Sequence, residues 1–446
     1  MRRGSALALV AVLLVASAAP AATAQQPDFT KEHWYHSYLT LTNDIQAWAA
    51  DYPEIVILTT AGTTVLGRQQ WVLQISDWSN DAKTDGTAKE KVYIDGGHHG
   101  NEHLGTELAF LTAEFYIEGW AGGDSEVVEV LQNAELHIMI MLNADGNDAD
   151  TRWNMNQVDL NRNYDHRWTE DETASGDGPF SEPETRNNAD YMAAFAAEAD
   201  LYVTMHTGTW ILAYPWGFTP NMPSDWELFE FIRDDIHEKI DADLPIRNAN
   251  AGIYPTHGTS RDYGYGVMGY PCFTFETDDE QFLLGSIQEV SERLALELEV
   301  MRYLISNVWY WRARLSVESL ELGDGQAELA VSNLGRASTA NATLHYLDGA
   351  GEVLWYSNNF SVNASNRTEA MLDASGLGLV TGGYFELHYQ KRVIDAALWV
   401  NEPVNDSLVK VGSDDPGWLV PAPSVLLVVI SFALAAINGR NSRLEL

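Results

Sequence analysis

The sequence predicts an α/β domain with a mixed, mostly parallel twisted sheet flanked by helices, followed by an all-β sandwich domain. Helical and strand-like patterns alternate from about residue 33 to residue 311, and several strands are continuous apolar runs. Such runs are typical of strands buried on both faces of a sheet. From about residue 314 the pattern changes to short alternating strands separated by Gly- and Asp-rich turns. A chain of 446 residues is long enough for two or three domains.

The predicted elements follow in order along the chain. In the first part we expect helices at 38–52, 103–116 and 287–311, with strands at 55–58, 71–75, 91–95, 136–142, 201–205 and 273–275. In the second part we expect strands at 313–322, 327–332, 342–347, 353–356, 384–389 and 393–400. The polar residues of interest lie at or just after strand ends, where open α/β sheets place their sites.

Both ends of the chain carry apolar segments. Residues 1–24 have a basic start, an apolar stretch and a small-residue cleavage site, which indicates a secretory signal. Residues 418–437 are long and apolar enough to cross a bilayer and precede Arg440 and Arg443; the alternative is a buried helix. We expect an exported protein held at the cell surface, with its large domains outside. The predicted boundaries are 1–24 signal, 29–312 α/β domain, 313–405 β-sandwich, 406–417 linker, 418–437 transmembrane or sorting segment and 438–446 basic cytoplasmic tail.

Charge and cysteine content exclude several classes of protein. The formal net charge is −38, which argues against nucleic acid as a partner because phosphate binding requires positive charge. Cys272 is the single cysteine, so no intramolecular disulfide forms. Glycosylation sequons fit an exported surface. They begin at Asn341, Asn359, Asn363, Asn366 and Asn405.

A histidine and glutamate cluster directly follows the apolar strand at 91–95. His99 and Glu102 are three positions apart and can direct one nitrogen and one carboxylate to the same point, as a zinc ion requires. His206, at the end of another predicted strand, would complete a catalytic zinc site. The alternative is that the histidines are ordinary residues of a Gly-rich turn.

Two further segments carry chemistry. Asn161 and Arg162 place an amide beside a guanidinium, which suits a carboxylate ligand. The alternative is a capping turn with a surface arginine. Glu276 ends an apolar strand and shares a strand face with Thr274, so a desolvated carboxylate there would suit a general base. The alternative is a glutamate paired with a nearby arginine.

In order along residues 33–311, these pieces resemble the zinc carboxypeptidases of the carboxypeptidase A and B type, also called funnelins. The matching motifs lie at residues 97–102, 143–146, 159–163, 180–185, 206 with 214–217, 253–254, 258–263 and 273–276. The resemblance implies the zinc carboxypeptidase fold and hydrolysis of the C-terminal bond of peptides. Peptide or protein C-termini would be the partners.

The resemblance also implies a role for each matching residue. Zn²⁺ would bind His99, Glu102 and His206, with His98 and His103 as rival ligands. Glu276 would be the base that takes a proton from water and returns it to the leaving amine. The free C-terminal carboxylate of the substrate would be held by Asn161, Arg162 and Tyr254.

This chain departs from the family pattern at two places. Asn101 stands where the family usually has an arginine, next to the zinc-binding glutamate. The arginine that stabilises the oxyanion belongs near residues 152–156. Alignment on Trp153 puts Asn154 there, and alignment on charge puts Arg152 there; we predict Arg152, since an oxyanion donor is worth a few kcal/mol.

Arg261 precedes the family's conserved Asp262 and, by the resemblance, lies at the floor of the pocket for the C-terminal side chain. Its positive charge predicts removal of C-terminal Glu or Asp. The alternative is that Arg261 turns outward or pairs with Asp262 or Asp279.

About ten residues separate the predicted signal from the first family-like helix, too few for a folded inhibitory prosegment. Two other functions stay open: an amidase of the same fold acting on cell-wall peptides or N-acyl amino acids, and a zinc-binding surface protein without catalysis.

Overall fold

The computed structural model describes residues 35–84, 86–277, 287–394 and 398–412. The helices are α1 Tyr38–Asp51, α2 His103–Gly122, α3 Ser125–Asn133, α4 Ala144–Asp148, α5 Pro183–Ala194, α6 Trp226–Lys239, α7 Ala249–Gly252, α8 Ser260–Gly266 and α9 Ile287–Ser306. The strands of the first part are β1 Val56–Thr63, β2 Gln69–Ile75, β3 Glu90–Gly96, β4 Ala134–Met139, β5 Leu201–Thr207, β6 Ile211–Tyr214, β7 Ile246–Asn248 and β8 Cys272–Thr277. Those of the second part are β9 Leu315–Gly323, β10 Gln326–Asn333, β11 Thr339–Leu347, β12 Val353–Tyr356, β13 Phe360–Val362, β14 Arg367–Asp373, β15 Tyr384–Gln390, β16 Trp399–Pro403 and β17 Val409–Val411.

The first part is built on one mixed sheet of eight strands in the order β1-β2-β4-β3-β5-β8-β6-β7. The central strands β4, β3, β5 and β8 run parallel, and β6 is parallel to β7. The pairings β1–β2, β2–β4 and β6–β8 are antiparallel. Every residue of β5 is buried, as expected of a central strand that is covered on both faces of the sheet. The mixed α/β class predicted from the sequence is therefore confirmed.

The second part consists of two sheets around a separate apolar core. One sheet has the order β14-β10-β9-β17, and the other has β12-β11-β15-β16 with β13 paired to β11. Both sheets contribute to the same cluster of buried side chains, among them Leu320, Leu329, Leu344 and Leu387. Alternation along β15, where every second residue is buried, places one face of that sheet on this core.

Several predicted bounds differ from the structure: the helix predicted at 103–116 continues to Gly122, and the strand predicted at 136–142 ends at Met139. The strand predicted at 393–400 is wrong at its start, because the strand begins at Trp399 and residues 391–394 form a bend. The helix predicted at 287–311 ends at Ser306, and a separate 3₁₀ turn follows at Val308–Tyr310. In the last two places a side chain close to the difference is almost fully buried, namely Arg392 before the strand and Trp311 after the 3₁₀ turn.

None of the helices within the described ranges is both long and apolar enough to span a bilayer. The predicted signal at 1–24 and the predicted segments at 418–437 and 438–446 lie outside those ranges.

Candidate active site

Three neighbouring strands of the mixed sheet carry the polar cluster at their carboxyl ends. Parallel pairing places Gly96 of β3 beside Met205 of β5, and His206 beside Glu276 of β8. His99 and Glu102 follow β3 in the loop that leads into α2. Residues about a hundred positions apart therefore meet at one sheet edge because their strands are adjacent and parallel.

The loop after β3 passes so close to α4 that it requires a glycine at one position. A Cβ atom on Gly100 would overlap the backbone of Gly146 in α4. This close approach fixes the loop against α4. Glu102 ends the loop, directly before α2 begins at His103.

The side chains of His99, Glu102 and His206 bring atoms of the metal-ligand type close together. His99 Nδ1 lies 2.8 Å from Glu102 Oε1, and His206 Nδ1 lies 3.0 Å from Glu102 Oε2. The two Nδ1 atoms are 3.3 Å apart. Ligands of a tetrahedral zinc ion, with bonds of about 2.0–2.1 Å, lie roughly 3.3 Å from each other. The three side chains thus fit one zinc ion, and no other such His, Cys, Asp or Glu group occurs in the described part of the chain.

Asp159 orients the first of these histidines. Its Oδ1 atom lies 2.9 Å from His99 Nε2, leaving Nδ1 directed at the metal position. Burial alone would raise the pKa of Asp159, but the charges of His99 and Arg152 outweigh it and hold that pKa well below its usual range. A carboxylate that stays ionised is what keeps the imidazole in this orientation.

The rival histidines lie elsewhere. His98 Nε2 is 2.8 Å from the Tyr164 hydroxyl, so its ring is directed into the core. His103 Nε2 is 3.1 Å from Asp150 Oδ1 near the surface. Asn101, the departure from the family pattern, does not line the active-site cavity.

Arg152 and Asn154 occupy quite different environments. Arg152 lines the cavity, where Nη1 donates to Glu102 Oε1 at 3.0 Å and Nε donates to Asp159 Oδ2 at 3.0 Å. Asn154 is fully buried away from the cavity, and its Nδ2 donates to Glu182 at 2.7 Å and Glu184 at 3.1 Å. Of the two candidates for the oxyanion position, only Arg152 reaches the cavity.

Glu276 lies on the cavity wall, close to the metal triad. Desolvation raises the pKa of its carboxyl group, and the negative charge of Glu102 adds to the rise. A carboxylate with a raised pKa is a better proton acceptor near neutral pH. The arrangement therefore suits a general base beside a metal ion.

Asn161, Arg162 and Tyr254 form a second group on the same cavity. Arg162 is 7% exposed, and its Nη1 donates to the backbone oxygen of Asn161 at 2.8 Å. Its Nη2 lies 3.4 Å from the hydroxyl of Tyr254, a residue that is 51% exposed. Glu172 also faces Arg162, with 3.5 Å between Oε2 and Nε. The group therefore presents a buried, hydrogen-bonded guanidinium beside the hydroxyl of an exposed tyrosine.

Arg261 is buried in the cavity wall, with 3% of its surface exposed. Its Nε donates to Asp262 Oδ1 at 3.0 Å, and its Nη1 donates to Thr274 Oγ1 at 3.0 Å. The third nitrogen, Nη2, has no hydrogen-bond partner among the described residues, and Asp279, the other predicted partner, lies outside them. A Cβ atom on Gly217 would overlap this nitrogen, so the glycine makes room for the guanidinium.

The cavity that joins these groups has a volume of about 290 Å³, close to the lower range for ligand sites. Asp159, Thr256 and Thr274 were not among the site residues predicted from the sequence. A signal existed for Thr274, which shares a strand face with Glu276. Asp159 precedes Asn161 by two positions, but its pairing with His99 depends on tertiary packing.

Comparisons with known proteins agree with this geometry. Residues 41–292 match a family model described as zinc carboxypeptidase. Carboxypeptidase B of Astacus astacus is 27% identical over 277 residues, covering 55% of this chain and 86% of the relative. Carboxypeptidase O of Bos taurus is 24% identical over 318 residues, covering 63% of this chain and 82% of the relative. The solved structure of bovine thrombin-activatable fibrinolysis inhibitor with tick carboxypeptidase inhibitor shares the fold, with a TM-score of 0.52 and 22% identity over 62% of this chain and 99% of that one.

Proposed function

Since this chain belongs to the zinc carboxypeptidase family, we propose that it is a metallocarboxypeptidase selective for peptides that end in glutamate or aspartate. Family membership identifies the reaction class, which is hydrolysis of peptides by a carboxypeptidase, and the metal ion, which is zinc. The observation that supports the selectivity is Nη2 of Arg261, a buried guanidinium nitrogen without a hydrogen-bond partner among the residues that the structure describes; Arg261 lies in the wall of the same cavity as the metal triad.

An acidic side chain would complete the hydrogen bonding of Arg261. A buried donor without a partner costs about 1–3 kcal/mol, which a substrate carboxylate would recover. Asp262 pairs with Arg261 through Nε alone, and the same carboxylate also accepts from the backbone nitrogen of Gly217 at 2.9 Å. The local acid is therefore shared, and among the described residues Nη2 is the guanidinium nitrogen that no acceptor engages.

The other cavity residues supply the remaining parts of the reaction. Arg162, with Asn161 and Tyr254, would hold the terminal carboxylate through charge-assisted hydrogen bonds. This grip explains cleavage of the last peptide bond only, because an internal residue has no carboxylate there.

When bound by His99, Glu102 and His206, zinc supplies a Lewis acid for the peptide carbonyl and makes water a stronger acid. Glu276 accepts the proton of the attacking water and returns it to the leaving amine. Arg152 donates to the oxyanion that develops on the carbonyl oxygen.

The selectivity is tested with matched peptides that differ only in the last residue. We expect kcat/KM for C-terminal glutamate to exceed that for phenylalanine by at least about tenfold, equivalent to roughly 1.4 kcal/mol. Arg261→Asp should reverse the preference towards C-terminal lysine, and Arg261→Met should abolish the preference for acidic residues. Glutamate release no faster than phenylalanine release from the wild-type enzyme would refute the proposal.

We also propose that the enzyme works outside the cell, held at its surface. The support is the sequence alone: the signal-like residues 1–24 and the apolar residues 418–437. Protease treatment of intact cells should remove the activity from the full-length protein, whereas deletion of residues 418–446 should release active enzyme into the medium. Activity that stays protected inside intact cells would contradict this location.

A further inference from the structure

The two residues that follow β15 contact the first part of the molecule through their side chains. Lys391 and Arg392 follow β15 directly and are 9% and 2% exposed. The backbone of Lys391 is held on both sides, by a bond from its nitrogen to Leu398 O at 2.7 Å and by a bond from Ala313 N to its oxygen at 2.7 Å. Two charged side chains are thus buried where the two parts of the molecule meet.

Arg392 contacts residues on and around α8. Its Nη1 donates to Asp225 Oδ2 at 2.7 Å, and its Nη2 donates to the backbone oxygen of Gly269. Asp225 precedes α6 and also accepts a hydrogen bond from the Tyr265 hydroxyl. The guanidinium carbon lies 5.6 Å from the centroid of the Tyr265 ring. Tyr265 belongs to α8, so Arg392 contacts that helix both directly and through Asp225.

The same helix carries the wall of the specificity pocket. Arg261 and Asp262 lie in its first turn, and Tyr265 lies one turn further. The Tyr265 ring packs edge to face on Trp216, with 4.7 Å between centroids. The next residue, Gly217, donates its backbone N–H to Asp262 and lies against Arg261. A continuous series of buried contacts therefore joins Arg392 to the guanidinium in the pocket.

We propose that Arg392 is a positioning residue for substrate selection, so that the two-sheet second part of the chain holds α8, and with it Arg261, in place. The proposal rests on the proposed function in one respect, namely that Arg261 contacts the C-terminal side chain of the substrate. Removing Arg392 leaves the buried Asp225 carboxylate without this cationic partner, which is strongly unfavourable, and we expect the residues around Asp225 to shift in response. We expect this shift to include α8, because Asp225 accepts a hydrogen bond from Tyr265 of α8 and Arg392 also contacts the Tyr265 ring and Gly269, three residues after the helix.

The chain offers a matched control in the neighbouring residue. Lys391 Nζ lies 3.2 Å from Asp200 Oδ1, so it makes the same kind of contact between the two parts. Asp200 directly precedes β5, at the end of the strand opposite to His206. Lys391→Ala therefore removes an ion pair of the same kind without touching α8.

The test measures kcat and KM of the full chain with peptides ending in glutamate and in phenylalanine. For Arg392→Ala we expect kcat/KM for the better substrate to fall about tenfold to hundredfold, mainly through KM, with bound zinc unchanged. The ratio between the two peptides should shrink towards one. Arg392→Lys should recover part of both, and Lys391→Ala should lower the melting temperature while leaving KM at the wild-type value.

Tyr265→Phe provides a second variant if Arg392→Ala does not fold. It removes only the hydroxyl bond to Asp225, and we expect a smaller rise in KM in the same direction. Wild-type KM in every soluble variant, or an equal rise in KM for Lys391→Ala and Arg392→Ala, would overturn the proposal. The wild-type peptide ratio tests acidic selectivity separately, since the effect of Arg392→Ala is read against whichever peptide the wild-type enzyme prefers.

Discussion

Replacing Arg152 by methionine should lower kcat strongly while leaving KM and bound zinc nearly unchanged. Methionine keeps the aliphatic volume but removes every donor. Arg152 is held by hydrogen bonds to Glu102 and Asp159, and 31% of its side chain is exposed to the cavity side, so its guanidinium is fixed and accessible. One prearranged donor to a developing oxyanion contributes about 2.7–4 kcal/mol, which is roughly 10²–10³ in kcat.

Asn154→Ala is the matched control, because Asn154 is the other candidate for the oxyanion position. Its loss leaves buried carboxylate oxygens short of a donor, although Asn156 still donates to Glu182 at 2.8 Å. We expect about 1–3 kcal/mol of lost folding stability and a kcat within a few-fold of wild type. The assay combines steady-state kinetics with zinc content and thermal unfolding. A kcat near wild type for Arg152→Met, or a larger kcat loss for Asn154→Ala, would refute the assignment.

Three further predictions follow from the same geometry. Glu276→Gln should reduce kcat by about 10²–10⁴ with zinc content unchanged, and substantial hydrolysis by the variant would exclude Glu276 as the base. Asp159→Asn should weaken zinc binding about tenfold to hundredfold in a chelator competition, because His99 loses its orienting carboxylate; unchanged affinity would contradict that role. Burial raises the pKa of Asp200, but Lys391 and Arg312 outweigh it and lower that pKa below its ordinary value, so its stabilising effect is complete above about pH 4 and is lost as pH falls through the folded value. The difference in melting temperature between wild type and Asp200→Asn should therefore shrink on acidification below about pH 4, and a constant difference would argue against this linkage.

The sequence predicted the elements next to the metal triad well. Mainly apolar stretches identified β3 and β5, and the helix beginning at His103 was placed at its first residue. The hydrophobic pattern failed to predict the structure where side chains are buried by partners that are distant in the sequence. The strand predicted at 393–400 begins only at Trp399, and the preceding Arg392 is buried against Asp225, which is 167 positions away. Alternation records which residues are apolar, and it contains no information about an ion pair of that separation.

The sequence by itself determined the reaction class of this protein. His99 and Glu102 belong to one short loop, so their spacing alone directs them to a common point, and the ordered motifs identified the family. Only the tertiary structure decided which of Arg152 and Asn154 reaches the cavity, that Asp159 holds His99, and that one nitrogen of Arg261 finds no partner within the described part of the chain. The physical reason is distance along the chain. Local geometry fixes side chains within a turn or two, whereas the direction of a side chain in a loop depends on which buried partners the packed chain brings to it.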